Sequence, residues 1–171
     1  VLEAFQTLRA VLFATMMEPI MQQHRDKIAP EIVGNIERGL NITPPQIFEA
    51  ERIRIELFKK ILDFFETHDF LICPAASIAP FPVDQRYVTE IDGKPCETYI
   101  DWFSITFALT MTACPTISVP CGFTSEGLPV GFQIMGKPRG EAALLLVAKR
   151  FEQAIGISAK LPITPQKLKL I

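Results

Sequence analysis

An α/β fold, with mixed sheet strands covered by helices, follows from three features of the 171-residue sequence. A long amphipathic pattern over Pro44–Thr67 carries strong helix signals at its start. Two short apolar runs, Pro115–Phe123 and Leu128–Gly136, are bounded by Pro and Gly and separated by a brief turn at Glu126-Gly127. A second amphipathic pattern, Glu141–Ile155, follows them directly. Alternating or continuous apolar runs of strand length between helical repeats give a sheet with covering helices. The length predicts one domain, residues 1–171.

Taken in order, Leu2–Met17 places Leu2, Phe5, Leu8 or Arg9, Leu12 and Met16 at helical spacing, and Pro19 is expected beyond its end. Ala29–Leu40 reads as a short helix, with Pro30 in its first turn and Gly39 near its stop. Over Pro44–Thr67, Thr43 is an N-cap, Pro44 suits the first helical position and Gln46 completes a capping box. Ile47, Ala50, Ile53, Leu57, Ile61 and Phe64 form its apolar stripe. Glu51, Arg52, Glu56, Lys59 and Lys60 fall on a solvated face. Asp69–Pro74 reads as a buried strand stopped by Pro. Ala75–Pro95 is a long irregular loop with one turn at Asp92-Gly93, a length that marks functional or covering loops. Tyr99–Thr112 reads as a helix apolar nearly all round. The next two runs are strands that pair antiparallel, with Pro115 and Pro120 bracketing the first. In Glu141–Ile155 the residues Leu144, Leu145, Ala148, Phe151 and Ile155 point inward, and Gly156 closes the helix. The tail after Pro162 is an edge strand or frayed.

Composition narrows the function. Lys plus Arg is 17 and Asp plus Glu is 19, too balanced for a nucleic-acid footprint. The uncharged stretch Trp102–Ser125 is long enough to span a bilayer, but Pro115, Pro120 and four Ser/Thr residues in its first half favour a buried helix and strand. His24 and His68 stand far apart and at no metal-ligand spacing from a cysteine; both read as solvated helix-end residues. Cys73, Cys96, Cys114 and Cys121 form no C-x-x-C pair and read as buried, inert thiols, which fits a reducing cytoplasm. A Cys–His hydrolase would need one of these thiols activated. No serine has an activating neighbour in sequence, and Glu49 and Glu51 lie on different helix faces. Gln133, in an otherwise apolar strand, requires a hydrogen-bond partner if buried. The residues alone describe a scaffold rather than an active site.

The segment Cys114-Pro115-Thr116-Ile117-Ser118-Val119-Pro120-Cys121-Gly122-Phe123, followed by Gly127-Leu128-Pro129-Val130-Gly131-Phe132-Gln133-Ile134-Met135-Gly136, resembles the C-terminal hallmark of the amidase signature family. The resemblance covers roughly residues 44–156 by its motifs. It implies hydrolysis of a carboxamide C–N bond through an acyl-enzyme, with a Ser nucleophile, a second Ser and a Lys base, and neither metal nor organic cofactor. The Gly/Ser-rich segment that carries those serines has no counterpart here, and Ser-Ser does not occur. No catalytic residue is therefore carried over. The chain is expected to be the C-terminal portion of a larger amidase, inactive alone, whose full-length form takes a small-molecule amide and binds neither nucleic acid nor membrane. The helix before the Pro-bracketed strand lines the acyl side of the family's pocket, which nominates Tyr99, Trp102, Phe103 and Phe107; core packing is the competing reading. Thr110 stands where many members have Asn. Asp101 is out of register with the acidic residue of the tRNA-dependent transamidase branch, where Phe103 stands. One alternative is a part of the A-type amidotransferase protein of that branch. Another is a non-catalytic binding or regulatory protein that forms a homodimer or pairs with a separate catalytic chain.

Overall fold

The computed structural model describes residues 1–156, which form five α-helices, a three-stranded sheet and a small hairpin, divided between two compact units. The tail reading lies outside the described residues. Unit 1 comprises residues 1–68 and 107–113; unit 2 comprises residues 69–106 and those from 114 onward.

Unit 1 is built from α1 (Leu2–His24), α2 (Pro30–Leu40) and α3 (Pro44–Thr67). The Pro19 stop does not occur: α1 runs through it. An interior Pro costs a helix ~3 kcal/mol, but continuing the helix carries Met21 into a cluster with Val33 and Ile36, joined by Phe13 and Met17. That burial is invisible to a local reading. Gly39 lies inside α2 rather than at its cap, and its reason is steric. A Cβ there would collide with the Ala10 carbonyl and lie 2.7 Å from the Ala14 Cβ, so the glycine lets α1 and α2 touch backbone to backbone.

α3 has the expected bounds. The Thr43 amide donates to Gln46 Oε1 at 2.8 Å, as the capping box requires. Ala50, Ala4 and Met111 are buried together, with Phe5, Leu8, Ile53 and Leu57 around them. On the solvated face Arg52 pairs with Glu49 and Arg54 with Glu51. His24 and His68 are exposed at the ends of α1 and α3, as expected, and the His68 ring stacks on Phe64.

Unit 2 centres on a sheet of order β1-β5-β4, formed by β1 (Phe70–Pro74), β4 (Thr116–Phe123) and β5 (Pro129–Gly136), both pairings antiparallel. β5 is the central strand. Among the described residues β1 is therefore an edge, not a buried strand, and Ile72 is 51% exposed. Strand order depends on partners distant in sequence, which an isolated apolar run does not encode. Pro120 lies within β4 rather than at its end. It is tolerated because β4 is the other edge among the described residues and a bulge between Pro120 and Gly122 leaves Cys121 out of register. β2 (Glu90–Ile91) and β3 (Lys94–Pro95) pair across Asp92-Gly93, two short strands within the stretch read as loop. Their turn residues have φ of 50° and 72°, the left-handed pair that a two-residue hairpin needs.

α5 (Glu141–Ile155) covers the sheet. Leu144 and Ala148 join Val119 and Ile134 in the core, with Phe132 edge-to-face on Phe151. Leu145 and Ile155 do not point inward: Leu145 is 59% exposed, so the buried stripe is narrower than the apolar pattern. Gly156 closes the helix at φ 64°. The expected helix Tyr99–Thr112 is instead a 3-10 turn over Asp101–Phe103 followed by α4 (Ser104–Thr110). The Asp101 carboxylate accepts from the Thr98 amide at 2.8 Å and from its hydroxyl at 2.6 Å, which fixes a later start.

Candidate functional site

Unit 2 contains a cavity of about 820 Å³ beside β1 and β5. Its floor is made where the end of β1 leaves the sheet. There the Ala75 amide still donates to the Gly131 carbonyl at 3.0 Å, so the chain turns away only after one further sheet bond. The loop that follows, Ala76 to Phe81, forms one wall, and Trp102 faces it. The Thr106 hydroxyl of α4 donates to the Ala75 carbonyl at 3.2 Å and ties the loop to the helix start. Cys121, left out of register by the β4 bulge, also lines the cavity.

Gln133 anchors this floor. Its side chain is buried, and Nε2 donates to the Pro74 carbonyl at 3.0 Å, the partner its position demands. It also hydrogen-bonds the Cys73 thiol across the strand pair. Burial pushes the Cys73 thiol above its ordinary value of 9.0, against the smaller opposing effect of Gln133. A thiol shifted in that direction is protonated at neutral pH and is no nucleophile. The cysteines are less uniformly buried than their apolar neighbours suggest: Cys114 is buried, Cys73 and Cys96 are half-buried and Cys121 is exposed.

The four aromatic residues nominated for a substrate pocket divide. Trp102 lies on the cavity wall, edge-to-face with Phe81 at 5.6 Å. Phe103 packs edge-to-face behind Trp102 at 5.2 Å, and Tyr99 meets Tyr87 at 6.4 Å. Phe107 belongs to unit 1, buried and stacked on Phe5 with ring centroids 4.2 Å apart. The structure thus brings Trp102 together with loop residues that sequence reasoning missed. Phe81 stands in a Pro-rich stretch without periodicity, and the length of that loop was its one signal. Both oxygens of Asp101 are engaged by Thr98, so this carboxylate is spent on chain geometry. Among the described residues, no three His, Cys, Asp or Glu side chains cluster to hold a metal, and no helix is long and apolar enough to cross a membrane.

Comparison with known proteins agrees with this fold. An aryl acylamidase of the amidase signature enzymes superposes with a TM-score of 0.77 at 22% identity, over 94% of this chain and 36% of that one. A 6-aminohexanoate cyclic dimer hydrolase gives 0.78 at 21% identity, over 94% and 36%. The A-type protein of the Glutamyl-tRNA(Gln) amidotransferase of Alkaliphilus metalliredigens is 26% identical over 90% of this chain and 31% of its own length. An acylamidase of Rhodococcus erythropolis is 32% identical over 77% of this chain and 28% of its own. The chain thus spans less than a third of the length of these curated relatives. The Amidase family profile matches residues 2–145. With that match running from α1 into α5 and through both Pro- and Gly-bounded strands, the chain belongs to the amidase signature family.

Proposed function

We propose that this chain is the C-terminal part of an enzyme that hydrolyses a carboxamide C–N bond, with the nucleophile supplied by a segment outside it. In that reaction a Ser hydroxyl adds to the amide carbonyl, a Lys carries its proton to the leaving nitrogen, and the amine departs. Water then cleaves the acyl ester to a carboxylic acid and restores the serine. This chain contributes sheet, covering helices and one wall of the acyl pocket, with Trp102 on that wall and Phe103 behind it. The four free thiols suit a cytoplasmic setting. What carries the reading is the family match over residues 2–145, which takes in β4 and β5 beside the cavity.

The test is to treat the whole gene product with a fluorophosphonate ester and map the labelled serine by peptide mass spectrometry. Label outside residues 1–171, with this chain alone unlabelled and releasing no amine from an anilide, is expected. A labelled Ser77, Ser104 or Ser118 overturns the reading. The similarity to the A-type protein of the tRNA amidotransferase over 90% of the chain supports a second reading, in which the amide is glutamine and the product ammonia. Ammonia release from glutamine, measured beside amine release from an anilide, separates the two.

A further inference from the structure

The geometry points to Thr106 as a positioning residue: its hydroxyl sets the course of the loop over residues 76–81, and through that loop the apparent affinity for substrate. This rests on the amide-hydrolysis reading, in which the loop is one wall of the acyl pocket. The chain leaves β1 under three consecutive restraints. Gln133 Nε2 donates to the Pro74 carbonyl at 3.0 Å, the Ala75 amide donates to the Gly131 carbonyl at 3.0 Å, and the Thr106 hydroxyl donates to the Ala75 carbonyl at 3.2 Å. The first two tie the strand end to β5. The third alone acts on the peptide plane that opens the loop. A peptide unit is rigid, so holding its carbonyl fixes the direction in which residue 76 departs. Among the described residues, the next backbone hydrogen bond along the chain runs from the Gln85 amide to the Pro82 carbonyl.

The far end of the loop is held by the same short stretch of chain. Phe81 meets the Trp102 ring edge-to-face at 5.6 Å, and Trp102 precedes Thr106 where the 3-10 turn Asp101–Phe103 runs into α4. The loop is thus fastened to one element at both ends, by a hydroxyl at Ala75 and by a ring at Phe81. Packing adds little between these points, since Ala76, Ser77, Ala79 and Pro80 are exposed. Without the hydroxyl, residues 76–80 keep the Phe81 fastening alone. A wall that has to be ordered when substrate enters weakens binding by the cost of ordering it. The nucleophile outside this chain is not touched by that loss. Turnover at saturation is therefore preserved, and an acyl group too short to reach the loop is indifferent to it.

The test uses the whole gene product with Thr106→Val, which keeps the side-chain shape and removes the donor, and with Thr106→Ser, which keeps the donor. Steady-state kinetics are measured on acetanilide and on hexananilide, which differ only in acyl length. In Thr106→Val, KM for hexananilide is expected to rise roughly three- to tenfold, the scale of one hydrogen bond, with kcat unchanged and KM for acetanilide unmoved. Thr106→Ser is expected to restore the parent values. Hydrogen–deuterium exchange, read by peptide mass spectrometry, should be faster over residues 76–81 in Thr106→Val and unaltered over α5, which a general loss of stability would not produce. An equal rise in KM for both anilides, a fall in kcat alone, no rescue by serine, or unaltered exchange over residues 76–81 overturns the assignment of Thr106. Each of those results leaves the serine-labelling experiment untouched. A parent protein that releases no amine from either anilide overturns the reaction reading instead, and the exchange measurement then decides by itself whether Thr106 fixes the loop.

Discussion

Gln133 shows how one polar side chain holds an apolar floor together. It is buried in the central strand, and its amide closes that strand onto the last carbonyl of β1. Gln133→Leu keeps the volume and removes the hydrogen bond to the Pro74 carbonyl, a loss of about 0.5–1.5 kcal/mol. The urea midpoint should fall with the slope of the transition unchanged. Its neighbour Cys73 makes stability depend on pH. The folded state raises this thiol's pKa, so its contribution is complete below 9.0, the ordinary value, and is lost as pH rises through the higher folded value. Alkaline denaturation from pH 9.0 upward should therefore be shallower in Cys73→Ala than in the parent chain. In unit 1, Gly39→Ala forces a methyl into the Ala10 backbone. A cost of about 1–3 kcal/mol is expected from such overpacking, read by thermal melting.

Elements differ in how much of their cause is local, and that difference decides what the sequence reveals. α3 was legible to the residue, since its Thr43 cap, Pro44, Gln46 and stripe are all contained in the helix itself. Thr43→Ala should cost about 1 kcal/mol of stability, seen as a lower urea midpoint. The Asp92-Gly93 turn was legible for the same reason, though the two-residue strands on either side were too short to leave a pattern. The full length of α1 was not, because what carries it past Pro19 is Met21 meeting Val33 and Ile36 on another helix. The edge position of β1 and the exposure of Leu145 are likewise set by what lies alongside, not by the strand's or helix's own residues.

At the scale of the whole chain, the two units carry different reporters. α1, α2 and α3 dominate the helical signal and belong to unit 1, whereas Trp102 belongs to unit 2. Urea unfolding followed by far-ultraviolet circular dichroism and by Trp102 emission should give distinct midpoints, a departure from two-state behaviour. Coincident curves would show the chain unfolding as one cooperative body. The candidate site was legible in part at this scale. The family resemblance nominates both Trp102 and Phe107, but Phe107, a few positions on, lies in the core of the other unit. The loop wall that faces Trp102 has no repeat from which to be read.

Pro120, placed inside β4, has one more consequence. An edge strand of eight apolar-rich residues is a template for another chain's backbone, the first step toward fibrils. Proline removes a donor from that template, and the adjacent bulge breaks its even spacing. The irregularity that leaves Cys121 out of register beside the cavity thereby also interrupts this margin, so one local feature of β4 bears on both the site and the strand's exposed backbone.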